Sequence, residues 1–177
     1  MSSMFMTPTG KRDRIILLAF LTAFASTIYM VETFIPKPLP FLRLGLANIV
    51  VLITLLLGQL RAALLVALGK SVIGGFITGT LLSPTTLLSL GGSISSILVM
   101  FLIIHADLGM SIIGVSIGGA VVHNLVQLSI VRVLLIPQDR IFYLTPLLLI
   151  MGIVTGAFTG FITGLTVKKI SVWNLNE

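Results

Sequence analysis

The chain has 177 residues, of which 56% are hydrophobic and only 9% are charged. Soluble domains carry about 25% charged residues, so the composition excludes a soluble globular protein and indicates an integral membrane protein. The net charge of +6 does not indicate nucleic-acid binding, because the basic residues form no continuous face with aromatic platforms. They lie instead at the ends of apolar runs, at Lys11, Arg12, Arg14, Arg61, Lys168 and Lys169.

A helix needs about 20 residues to cross a bilayer, so the length allows six spans with short loops. The apolar runs predict spans at roughly 15–35, 44–59, 62–82, 86–104, 110–135 and 144–167. The second run is short and indicates a tilted, kinked or partly re-entrant helix. The predicted fold is an all-α, polytopic bundle forming one membrane domain over residues 1–177. An even span count places both termini on one side, and the basic ends predict the cytoplasmic side of the plasma membrane.

The first apolar run begins like a signal peptide, with basic residues before it and Ala23-Phe24-Ala25 within it. It continues without a break to Ile35, which favours an uncleaved spanning helix. Ala19 and Ala23 form a small-x-x-x-small pair that allows close helix contact. The pair predicts either internal packing or a docking face for a partner subunit, and its place near the cytoplasmic end favours docking.

The segment between the first two runs, Glu32–Asn48, reads ETFIPKPLPFLRLGLAN. Each proline of its Pro-x-Pro-x-Pro sequence removes a donor and restricts the preceding residue, so a helix cannot continue. The segment therefore predicts a stiff outer loop that re-enters the membrane at Leu44. A charged loop at a membrane face is suited to recognise or occlude a solute.

Several polar residues are expected inside the membrane. Lys70 follows Arg61 by nine residues, or roughly 13 Å along a helix, which places it near the midplane. A charge there costs at least about 2.5–3.5 kcal/mol, so Lys70 is expected to line a polar cavity or to form a structural ion pair. On the fifth run, His123 and Gln127 share a face, with Asn124 beside them.

These polar groups come from different spans but all fall in the outer half of the membrane. They predict one outward-facing pocket, and the alternative is a set of separate interhelical hydrogen bonds and snorkelling ends. Basic residues outnumber Glu32, so the expected ligand is anionic or strongly hydrogen-bonding. The candidate substrate-binding residues are Glu32, Lys37, Arg43, Asn48, Lys70, His123, Asn124, Gln127 and Arg132.

Four glycines lie at four-residue intervals on one face of the last predicted span. Such a face lets a neighbouring backbone approach closely, which predicts helix packing, with partner docking as the alternative. The glycines are Gly152, Gly156, Gly160 and Gly164.

Catalytic groups are not recognisable in the chain. Asp13, Asp107 and Asp139 are isolated, and no Cys/His metal cluster occurs. Leu68-Gly-Lys-Ser71 lacks the earlier glycine of a phosphate-binding loop. We therefore expect no enzyme activity, no ATP site, no metal and no cofactor, and any active uptake would be energised by a partner.

The Glu32–Asn48 stretch, together with Lys70, Gly74-Gly75 and His123-Asn124, resembles the Gx transporter family, also named heptaprenyl diphosphate synthase component I. That family is grouped with the substrate-binding S components of energy-coupling factor (ECF) transporters. The resemblance implies a six-helix S-component bundle with an outward pocket roofed by the first loop. It also implies a transmembrane coupling subunit, contacted through Ala19 and Ala23, and two ATPases.

Two functions follow as hypotheses. The leading one is a solute-binding membrane subunit for uptake of a small molecule. The second, motivated by the other family name, is an accessory subunit of a prenyl diphosphate synthase or quinone-pathway enzyme. The missing aspartate clusters, which would hold magnesium and diphosphate, count against this chain as the catalyst. A structural subunit of a larger redox or transport complex is a third reading.

Overall fold

The structure is a computed structural model that describes residues 11–35, 45–57 and 59–173, with side chains as far as Lys168. Within this part the chain is helical and has no strand, which confirms the all-α prediction. The helices are α1 (Lys11–Phe34), α2 (Asn48–Leu56), α3 (Leu60–Ile77), α4 (Pro84–His105), α5 (Ile112–Leu134) and α6 (Thr145–Trp173), with a short 3-10 helix (Asp139–Leu144) before α6.

Five of these helices, all except α2, are long and apolar enough to cross a membrane, which indicates a membrane-embedded protein. The prediction of six spans is not confirmed. The run predicted as the second span, 44–59, contains a helix of only nine residues. At 1.5 Å per residue this helix is about 14 Å long, less than half of the roughly 30 Å hydrocarbon core.

The helix starts reflect local sequence. Ser83 is extended and Pro84 occupies the first position of α4, where the missing proline N–H would have had no intrahelical partner. Ser111 is also extended, and its hydroxyl accepts from the Gly114 N–H at 3.2 Å. This bond satisfies one of the free amides at the start of α5.

Helices α1 and α3 run in the same direction. A methyl group added at Gly69 would meet Thr22, and one added at Gly74 would meet Tyr29. Positions along the two helices therefore rise together, so the segment between them must return the chain across the bundle. The short α2 is part of that return.

From α3 onward, consecutive helices are antiparallel, so α6 is antiparallel to α1. The start of α1, near Lys11, and the end of α6, near Lys168, therefore lie at the same end of the bundle. The contacts that set these directions are Ser71 with Ser89, Gly75 with Thr86, Gly92 with His123, Gly119 with Ser96, Gly152 with Val121, and Gly160 with Ile113.

The core is centred on α2. Five of its nine residues are buried, among them Val50, Val51 and Leu55. They pack against α3 through Val66 and against α4 through Ile97. A nine-residue helix is marginal by itself, so this apolar burial is what stabilises α2 in place.

The α5–α6 interface is built on three of the four predicted glycines. A methyl group at Gly156 would lie 2.6 Å from the Ile117 Cα. A methyl group at Gly152 would lie 3.0 Å from the Val121 Cα, and one at Gly160 would lie 2.7 Å from the Ile113 Cα. Gly164 has no atom within 4 Å of such a methyl, so it lies beyond this contact.

Candidate functional site

A buried carboxylate fixes the turn that leads into α2. Glu32, on the last turn of α1, is 2% exposed, and its Oε1 accepts from the Gly45 N–H at 2.8 Å. Gly45 has φ +80°, a left-handed conformation that side chains disfavour. A methyl there would also lie 3.1 Å from the Asn48 Nδ2. Glycine therefore lets this turn lie against both α1 and Asn48.

A buried ammonium fixes the start of α2 itself. Lys70 lies in the middle of α3, and it too is 2% exposed. Its Nζ donates to the Asn48 Oδ1 at 2.5 Å. A buried ammonium is tolerated only where hydrogen bonds replace its hydration. Asn48, the first residue of α2, supplies one such bond.

Three polar residues in the second half of α5, His123, Asn124 and Gln127, are buried together. Gln127 Nε2 lies 3.0 Å from His123 Nε2, and the Asn124 Nδ2 donates to the Leu148 carbonyl at 3.0 Å. A methyl at Gly92 would lie 2.8 Å from the His123 ring. The missing side chain at Gly92 therefore makes room for the imidazole between α4 and α5.

These groups meet around one small internal cavity, which we call the polar cavity. Its volume is about 10 Å³, close to the smallest space that holds one water. Asn48, His123 and Asn124 line it directly. Lys70 and Glu32 do not line it but are hydrogen-bonded to two residues that do, Lys70 to Asn48 and Glu32 to Gly45. The full lining is Gly45, Asn48, Leu52, Ser96, Met100, Ser116, Ala120, His123, Asn124, Thr155 and Thr159.

The structure thus brings together six of the nine candidate residues: Glu32, Asn48, Lys70, His123, Asn124 and Gln127. Arg132 lies apart from this group. Its side chain is 44% exposed, and its Nε and Nη2 donate to the Asp139 Oδ1 at 3.1 and 2.8 Å. A long arginine at a helix end reaches the nearest carboxylate across the turn instead of turning inward. Lys37 and Arg43 lie outside the described residues.

Eight of the eleven residues that line the cavity were not among the candidates, and four of these carry hydroxyl groups: Ser96, Ser116, Thr155 and Thr159. Ser116 and Thr159 are 43 residues apart and hydrogen-bonded at 2.8 Å. The sequence does contain a signal for the two threonines on α6. Thr155, Thr159 and Thr163 are spaced by four on an otherwise apolar stretch of that helix, each directly before a glycine.

Three buried side-chain oxygens, each within four residues of the cavity lining, have no hydrogen-bond partner among the described residues. They are Gln127 Oε1, Ser93 Oγ and Thr163 Oγ1. An unsatisfied buried acceptor costs roughly 1–3 kcal/mol. The polar interior therefore has hydrogen-bonding capacity that the described side chains do not use. No cluster of three metal-ligating side chains occurs among the described residues.

A second feature is an apolar groove on the outside of α1 and α3, with a volume of about 610 Å³. Ala19 and Ala23 are both part of its lining. The hydroxyls of Ser26 and Thr27 donate hydrogen bonds to carbonyls of their own helix, at 2.7 and 3.0 Å. These donors therefore need no water as a partner. The remaining lining residues are Ile15, Leu18, Thr22, Met30, Leu65, Ile73 and Ile77.

Comparison with protein families gives one match. A family model described as heptaprenyl diphosphate synthase component I matches residues 21–166. The chain belongs to this family. Comparisons with curated proteins and with solved structures gave no match.

The region shared with the heptaprenyl diphosphate synthase component I family includes the whole polar cavity and every described member of the group around it. It includes Ala23 but not Ala19, and it leaves out the basic start of α1. The word component in the family name implies a partner subunit in a complex.

Proposed function

We propose that this chain is the solute-binding S subunit of an ECF-type uptake transporter in the plasma membrane, and that the polar cavity is its solute site. The observation that carries the proposal is the composition of that cavity. Amide, imidazole and hydroxyl groups from α2, α4, α5 and α6 line it, inside a bundle with long apolar helices. Polar groups at membrane depth are costly and mark solute sites and pathways.

The proposal assigns no catalytic step to this chain. The cavity offers hydrogen-bonding groups and a neighbouring ammonium on Lys70, which are groups that bind and orient a solute. Energy for uptake is assigned to two ATPase subunits, which a transmembrane coupling subunit would connect to this chain.

The α1/α3 groove supports a docking site for that coupling subunit. Its small residues Ala19 and Ala23 are exposed, and small residues let a second transmembrane helix approach closely. Exposed Lys11, Arg61 and Lys168 lie at one end of the bundle, which the positive-inside rule places in the cytoplasm. The alanines lie towards that end, where cytoplasmic ATPases would act.

Co-purification tests this proposal. The tagged chain is expressed with an ECF coupling subunit and its ATPases, and separately with a soluble prenyl diphosphate synthase. We expect the wild type to capture the ECF module. Ala19→Leu and Ala23→Leu fill the groove and should abolish capture, whereas Ala106→Leu, exposed in the turn after α4, should leave capture unchanged. Normal assembly of both groove variants would remove the docking assignment.

A second candidate function is a non-catalytic membrane subunit of a prenyl diphosphate synthase or quinone-pathway complex. The family description favours it, and so do the exposed basic residues Lys11, Arg14 and Arg61 at one end of the groove. Such residues suit a diphosphate group or an acidic soluble enzyme. Capture of the synthase alone would make this function the better one.

A further inference from the structure

The polar cavity has two chemically different ends. His123 and Ser116 are seven residues apart on α5, so the residues that line the cavity span roughly 10 Å along that helix. One end, the charged end, is formed by Gly45, Asn48 and His123, with Lys70 bonded to Asn48. The other, the hydroxyl end, is formed by Ser116 and Thr159.

Between the two ends, the cavity lining is part apolar and part hydroxyl. Leu52 lies one helical turn after Asn48 on α2, and Met100 and Ala120 lie on α4 and α5. Ser96 and Thr155 add hydroxyl groups to this lining, and a methyl at Gly119 on α5 would lie 2.8 Å from the Ser96 Oγ. A solute that fills the cavity therefore meets a cationic region first and then a lining of apolar and hydroxyl groups. This order restricts the chemistry of the solute more than the charge balance of the sequence does.

The hydroxyl end presents acceptors. Thr159 donates to the Gly156 carbonyl at 3.1 Å, and its oxygen lies 2.8 Å from the Ser116 hydroxyl. Both hydroxyl hydrogens are used when Ser116 in turn donates to Thr159. The Ser116 oxygen then keeps its lone pairs, and these accept from an O–H or N–H group. An uncharged donor group, such as an alcohol or amide, is the complementary partner.

We infer that the polar cavity binds a small solute with one anionic group at the charged end and an uncharged hydroxyl or amide at the hydroxyl end. This inference rests on the proposed function, in which the polar cavity is the solute site. The anionic group is a carboxylate or phosphate, because these groups accept charge-assisted hydrogen bonds from an ammonium such as that of Lys70. Ser116 and Thr159 are then specificity-determining residues.

Binding requires the cavity to enlarge, because small-molecule pockets typically occupy about 300–1,000 Å³. The α5–α6 wall is fixed, since Gly156 and Gly160 already contact the α5 backbone. The nine-residue α2 is held at its start by Lys70 and by the Glu32–Gly45 bond. An anionic group that replaces Asn48 on Lys70 would release one of these two bonds, so we assign the movement to α2 and the turn before it.

The test measures thermal unfolding of the purified full chain in detergent. The probes are glycerophosphate, hydroxybutyrate and gluconate, which carry both groups, with phosphate, acetate and glycerol as their separate halves. The test variant, Ser116→Ala with Thr159→Val, removes both partners of the cavity hydroxyl pair, so that no orphaned group remains. The matched control, Ser71→Ala with Ser89→Ala, removes a buried hydroxyl pair bonded at 3.3 Å outside the cavity.

We expect at least one two-group probe to raise the unfolding midpoint more than both of its halves together. The Ser116/Thr159 variant should reduce that shift to the value for the anionic half, and the Ser71/Ser89 variant should keep it. Lys70→Ala should lose the shift for the anion and for the two-group probe. No shift with any two-group probe, or a shift unchanged in the Ser116/Thr159 variant, would overturn the inference. Capture of the ECF module needs no solute, so failure here leaves the proposed function standing.

Discussion

Two buried charges of opposite sign determine where the turn before α2 lies. The Glu32 carboxylate holds Gly45 from α1, and the Lys70 ammonium holds Asn48 from α3. A hydrogen bond to a charged group contributes about 1.5–3 kcal/mol, so losing either bond would destabilise this arrangement. The three-residue step from Gly45 to Asn48 is therefore held at both ends for as long as Asn48, and not a solute, accepts from Lys70. In that arrangement it closes one side of the polar cavity.

Gly45→Ala tests this arrangement at the scale of one methyl group. The left-handed conformation alone costs an alanine roughly 1–2 kcal/mol, and the methyl would also displace Asn48 Nδ2 from 3.1 Å. Gly79→Ala is the matched control, because Gly79 has φ +69° but nothing within 4 Å. We expect both variants to lower the thermal unfolding midpoint, and Gly45→Ala to lower it further. Equal effects would show that crowding Asn48 costs no stability beyond the backbone strain.

At the scale of helices, α5 and α6 form a closely packed pair. Their contact repeats every four residues, with glycine on α6 against a Cα of α5. Backbones that approach this closely gain dispersion contacts and leave no space for a side chain. The same register places Thr159 beside Ser116, so the glycine contact positions the hydroxyl end of the cavity.

Gly156→Ala should break this register. Its methyl would lie 2.6 Å from the Ile117 Cα, and overpacking of this kind costs about 1–3 kcal/mol. Gly164→Ala adds the same methyl on the same helix face in open space, where replacing a helical glycine stabilises by roughly 0.5–1 kcal/mol. Unfolding midpoints in detergent should therefore move in opposite directions. A stable Gly156→Ala variant would contradict the close α5–α6 contact.

How α2 was predicted shows what an apolar run can and cannot indicate. The run 44–59 predicted a spanning helix, and its shortness predicted that this helix is tilted, kinked or partly re-entrant. The first residue of α2 was not predictable, because Asn48 is fixed by Lys70, which lies 22 residues further along the chain. Apolar periodicity reports the buried face of a segment, but not the tertiary bond that decides where its helix begins.

At the scale of the whole molecule, the sequence predicted part of the polar interior. Asn48, Lys70, His123, Asn124 and Gln127 were recognisable because amides, imidazoles and charges are rare in apolar helices. Ser116 and Thr159 were not predicted, because a hydroxyl satisfies itself on its own helix as readily as across an interface.

Cysteine labelling tests the arrangement of the entire bundle, and the chain contains no cysteine of its own. Because α3 to α6 alternate in direction, the connections at Leu82 and Tyr143 lie at one end of the bundle. Leu108 and the exposed Lys168 near the end of α6 lie at the other. With the basic end in the cytoplasm, an impermeant maleimide added to intact cells should label Leu82→Cys and Tyr143→Cys. Leu108→Cys and Lys168→Cys should react only after permeabilisation. The reverse pattern would place the groove's basic end outside the cell, where no cytoplasmic ATPase or synthase reaches it.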